Sequence, residues 1–124
     1  MAVVGEVIYA VTRKRKTNPN PGLKYHLCIC ATNCLYLFIC GERKKYDFPI
    51  KKVECCGLPN EESYVSFNGY NFVPDHEMRS ASREQTCIVS DEFIARLVEH
   101  VRSVPVLSER ERQIILTGLS GRGS

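Results

Sequence analysis

The chain has 124 residues, 44% of them apolar and 25% charged, which suits one globular core and excludes an intrinsically disordered or fibrous protein. The longest apolar run, Leu27 to Cys40, is interrupted by Thr32 and Asn33 and is too short to span a bilayer. A net charge of +3 is mild, but the cations concentrate in two blocks, Arg13 to Lys16 and Arg43 to Lys52, as expected of a surface that faces a polyanion.

In chain order, Val3 to Val11 is rich in β-branched residues and reads as a first strand. Glu6 stands where a secretory leader would be basic, so the start predicts no signal peptide and a cytoplasmic protein. Thr12 to Gly22 follows as a basic loop, because Asn-Pro-Asn-Pro-Gly forbids regular pairing. Lys24 to Thr32 and Leu35 to Cys40 read as a core hairpin. In its first arm Leu27, Ile29 and Ala31 alternate with His26, Cys28 and Cys30, which turns His26 away from the aliphatic core.

Gly41 to Tyr46 is a second basic turn, and Phe48 to Val53 a short strand. Ser63 to Val73 resumes strand character around Asn68-Gly69, a dipeptide that fits either a tight hairpin turn or a bulge. Pro74 to Glu84 is polar and reads as irregular. Ser90 then caps a helix whose apolar positions are Phe93, Ile94, Leu97, Val98 and Val101, and Ser108 opens a second with Ile114, Ile115 and Leu119 as its stripe. The chain is thus expected to be α+β and mainly β, with a strand-rich part over 1–88 and a helical segment over 90–119.

The cysteines are odd in number, at seven, and no Cys-x-x-Cys pair occurs. Without a secretory leader they are expected to remain reduced and to pack as small apolar side chains, with no metal or cofactor. A zinc or redox module built on them is the weaker alternative. No phosphate-cradling glycine loop, metalloprotease helix or Gly-x-Ser-x-Gly elbow is present.

The order of these elements resembles the PemK/MazF-like toxin family. The resemblance covers nearly the whole chain and rests on Gly5-Glu6-Val7-Ile8-Tyr9, the basic loop, Gly22-Leu23-Lys24 entering an aliphatic strand, and Gly57-Leu58-Pro59-Asn60-Glu61-Glu62-Ser63-Tyr64-Val65. Val73-Pro74-Asp75 and the helix from Asp91 to Ser103 complete the order. It implies one SH3-like small barrel over 1–124 with a C-terminal amphipathic helix, acting as a metal-independent endoribonuclease on single-stranded RNA. It also implies a homodimer held inactive by an antitoxin protein. Two positions depart from the family: Lys24-Tyr25 stands in place of its Arg-Pro, and Cys40-Gly41 in place of its Thr or Ser. Lysine keeps the charge of arginine but loses its planar fork.

Metal-free cleavage of RNA needs a base for the 2′-hydroxyl proton, an acid for the leaving oxygen and cations for the phosphorane charge. The expected catalytic residues are Lys24 as phosphate cation, His26 as general acid or base, and Ser63 to position a phosphate or base edge. Arg13, Lys14, Arg15, Lys16, Arg43 and Lys44 are expected to track the RNA backbone, with Tyr25 or Tyr9 as a stacking platform. A silent barrel that binds nucleic acid or a protein partner is the competing expectation, because both departures fall on the chemistry.

Overall fold

The computed structural model describes residues 2–12 and 22–121. Seven strands form one antiparallel sheet: β1 (Glu6–Thr12), β2 (Gly22–Cys30), β3 (Leu35–Cys40), β4 (Phe48–Lys51), β5 (Glu62–Val65), β6 (Asn71–Phe72) and β7 (Ser82–Ile88). The helices are α1 (Asp75–Ala81), α2 (Asp91–Ser103) and α3 (Glu109–Ser120). The sheet runs β4-β5-β3-β2-β1-β7, with β6 added to the far end of β3, and it curls into a half-barrel. The architecture is therefore α+β and mainly β. No helix of the described residues is long and apolar enough to cross a membrane.

Period-two alternation divides the side chains between two faces. Val7, Leu27, Ile29, Leu37, Ile39, Ile50 and Val65 point to one side, where Phe93, Leu97, Val101, Ile115 and Leu119 of α2 and α3 cover them. Each fully buried side chain of this kind stabilises the fold by roughly 1.5–3 kcal/mol. Ile8, Ala10, Cys28 and Tyr36 point to the other side and pack with Val73 and with Met78 of α1. The reading of Pro74 to Glu84 as irregular is corrected here, since the segment supplies α1 and the first residues of β7. Asn68-Gly69 closes no tight hairpin: β5 and β6 both pair with β3, at opposite ends, and 66–70 crosses the gap with Gly69 at φ 92°.

Both long helices start where the capping residues predict. The Ser90 hydroxyl accepts the Phe93 amide at 3.1 Å. Ser108 and Glu111 form a reciprocal capping box, with bonds of 3.1 and 2.9 Å. Arg112, one turn into α3, donates to the carbonyl of Val101 in the last turn of α2 at 2.6 Å and to that of Leu107 in the connection between the helices at 3.2 Å. Ser108→Ala removes an exposed cap and is expected to cost about 1 kcal/mol. A urea titration checks this, and an unchanged midpoint would show that the cap contributes nothing.

Cys55 and Cys87 are joined by a disulfide across 32 residues, with Cα atoms 5.5 Å apart. The expectation of seven separate thiols is corrected by this bond. Cys55 lies just beyond β4 and Cys87 lies in β7, the two ends of the sheet path, and curling brings those ends together. Cys28, Cys30, Cys34, Cys40 and Cys56 remain thiols. Burial pushes the Cys28 thiol up to about 12, as a small apolar residue in the second core.

Candidate nucleic-acid interface

On the face opposite α2 and α3, one row of side chains crosses several strands and ends at Ala10, which is buried in the second core. Pro49 pairs with Tyr64, and Tyr64 with Cys40. Tyr25 pairs with Ile39, so one step along the antiparallel register sets Lys24 beside Cys40, and Ala10 pairs with Lys24 in turn. The row therefore reads Pro49, Tyr64, Cys40, Lys24, Ala10. Burial pushes the Cys40 thiol up, Lys24 and Lys44 pull it down, and Asp47 works with burial, leaving it raised. Burial thus disfavours the thiolate of Cys40.

The turn after β3 brings further positive charge to this row. Buried Asp47 accepts the Lys44 amide at 3.0 Å and the Phe67 amide at 3.4 Å, which ties the turn to the strand crossing beside it. Tyr46, at φ 72°, is held through its carbonyl, which accepts from His100 Nε2 at 2.6 Å. Arg43 then lies over the Tyr64 ring, 5.9 Å from its centroid, and Lys45 lies 5.1 Å from that of Tyr46. The Tyr64 hydroxyl donates to Glu62 Oε2 at 2.7 Å, and this bond to the carboxylate raises the phenol above its ordinary range.

Beyond the turn an open groove of about 930 Å³ continues from Lys44 and Lys45 past Tyr70 and Phe72 to Val106. Phe72 and Val106 are both more than half exposed. Lys44 belongs to the surroundings of Cys40 and to the groove wall alike.

Lys24 and Lys44 both act on Cys40, and Arg43 lies over Tyr64, the cross-strand partner of Cys40; the other expected site residues are buried, face the helices or lie outside the described residues. His26 shares the face of Lys24 but is fully buried, its ring edge-on to Phe38 at 5.1 Å and to Tyr36 at 6.2 Å. Ser63 lies on the helix-facing side opposite Ile50 and is 3% exposed. Tyr25 also lies on the helix-facing side, packed against the main core and stacked on Tyr9 with ring centroids 4.4 Å apart. Arg13, Lys14, Arg15 and Lys16 lie outside the described residues. Tyr64 and Glu62 are the site residues that sequence reasoning passed over. The signal was the alternation Glu62-Ser63-Tyr64-Val65, in which Val65 faces the core and puts Glu62 and Tyr64 on the other side.

Among the described residues no group of three or more His, Cys, Asp or Glu is arranged to hold a metal ion. What the row offers is cationic contact for phosphate, an arginine-backed aromatic ring and a carboxylate. Comparison with protein families, with curated proteins and with solved structures returned no match.

Proposed function

We propose that the protein is an endoribonuclease of the PemK/MazF-like type, metal-independent as the resemblance implies, which engages single-stranded RNA across the ends of β2, β3 and β5. The observation offered in its support is that Lys24 and Cys40, the two positions at which the chain departs from the family, are neighbours across β2 and β3 on the face opposite α2 and α3. Lys24, Arg43 and Lys44 supply backbone contacts, Tyr64 supplies a stacking face, and the groove past Lys44 extends the path for further nucleotides. An SH3-like barrel, a cytoplasmic location, an antitoxin partner and a homodimer belong to the same proposal.

The test is incubation of a labelled single-stranded RNA with purified protein in the presence of a chelator, with binding followed over a salt series. Wild type is expected to cut the RNA. Lys24→Ala and Arg43→Ala are each expected to weaken binding by about tenfold, and to flatten the dependence of log K on log salt by about 0.7. RNA that is neither bound nor cut at low salt would end the proposal, as would variants indistinguishable from wild type.

A second reading, a barrel that binds RNA without cutting it, draws support from the complete burial of His26 and the helix-facing position of Ser63. RNA recovered intact from a salt-sensitive complex would favour it.

A further inference from the structure

The inference concerns the proton acceptor, and it rests on the ribonuclease reading above. His26 presents no surface, Ser63 faces the helices, and burial disfavours the Cys40 thiolate, so Glu62 is the better placed group to take a proton from an RNA hydroxyl beside Lys24. Glu62 is a carboxylate on the right face. It stands two residues from Tyr64 on β5, opposite Lys51 of β4, and is partly exposed.

We infer that Glu62 is the general base of this site and that Tyr64 is its positioning residue. The Tyr64 hydroxyl donates to Oε2 at 2.7 Å and fixes the carboxylate, and among the described residues no group donates to Oε1, which is left to accept a proton. Arg43 lies over the ring that performs this positioning, so cation, ring and carboxylate form one continuous assembly. Cys40 stands between Tyr64 and Lys24. At the usual strand spacing of about 4.8 Å, Tyr64 and Lys24 are therefore roughly 10 Å apart along the backbone. Glu62 lies two residues further along β5 from Tyr64, so the ribose hydroxyl is placed toward Glu62 and the adjoining phosphate toward Lys24 and Arg43.

In the reaction, Glu62 takes the 2′-hydroxyl proton, O2′ forms a bond to phosphorus, and the P–O5′ bond breaks. O5′ leaves with a proton from solvent water, and Glu62 returns its proton to the hydroxide so formed. The products are a 2′,3′-cyclic phosphate and a 5′-hydroxyl, with no oxidant or co-reactant needed.

Glu62→Gln keeps the shape and the Tyr64 bond but cannot act as base. It is expected to lower the cleavage rate constant at saturating RNA by at least 100-fold while holding RNA as tightly as wild type or tighter. Tyr64→Phe keeps the ring under Arg43 and removes only the donor, so it should lower the same rate constant without raising KM. Glu62→Asp should recover part of the rate lost in Glu62→Gln. If Glu62→Gln cleaves like wild type while Lys24→Ala does not, the inference fails and the ribonuclease reading stands. If wild type yields no fragments, both fall. Fragments that end in a simple 3′-hydroxyl would overturn the 2′-hydroxyl chemistry on their own.

Discussion

Reduction of the Cys55–Cys87 bond is expected to lower the free energy of unfolding by about 3–4 kcal/mol, the chain-entropy value for a closed loop of this length. The figure is a large fraction of the stability of a domain this size, so reduced protein should unfold at clearly lower urea concentration. The loop contains β5, β6, α1 and most of β7, so the bond restricts much of the unfolded sheet. Buried Cys55 also packs in the main core, which adds a contact term to the entropic one. The measurement is a pair of urea titrations with and without a dithiol reductant, repeated on Cys55→Ser/Cys87→Ser. Wild type should shift toward the double variant, and the double variant should ignore the reductant. Coincident wild-type curves would show that the bond contributes nothing to stability.

Gly118→Ala is expected to destabilise the protein by about 1–2 kcal/mol, the balance of two opposed effects. In an exposed helix interior the change would stabilise by about 1 kcal/mol through propensity. Here a Cβ would stand 2.3 Å from the Ile29 carbonyl oxygen and 2.7 Å from Cys30 Cβ. The nearest atom is strand backbone, not a side chain that swings aside, so α3 must lift from β2, and overpacking of this kind costs about 1–3 kcal/mol or more. Thermal unfolding checks the sign. A raised melting temperature would mean that the helix and strand separate at little cost.

The parts of the fold legible in the sequence are those specified within a few residues. The hairpin of β2 and β3 follows from its alternating aliphatic residues, and the starts of α2 and α3 from Ser90 and Ser108 with the acids behind them. α1 and β7 were not legible because 74–84 carries no apolar stripe. Met78 is buried by the second face of the sheet, which local sequence does not describe. The Cys55–Cys87 pairing was hidden for a related reason, since only the curl of the sheet brings those positions together.

The candidate site divides in the same way. The charges of Lys24, Arg43 and Lys44 are plain in the sequence, and Lys24 was singled out through the family resemblance. The exchange of Ser63 for Tyr64 is a matter of parity: a one-residue offset moves a side chain to the opposite face, and Val65 in the core decides which residue faces out. His26 was correctly turned from the aliphatic core, but its burial depends on Phe38 and Tyr36 of the neighbouring strand.

The loop after β4 has a further effect through where it lies. β7 ends the sheet path, and a terminal strand presents unpaired backbone groups that recruit strands from other molecules. Beside the disulfide, Gly57 approaches β7 so closely that a Cβ there would fall 2.9 Å from the Thr86 carbonyl oxygen. The tethered loop thus shields part of that rim from intermolecular pairing. Reduction of the disulfide removes the covalent tether between that loop and β7, leaving the close packing of Gly57 on Thr86 to hold it there.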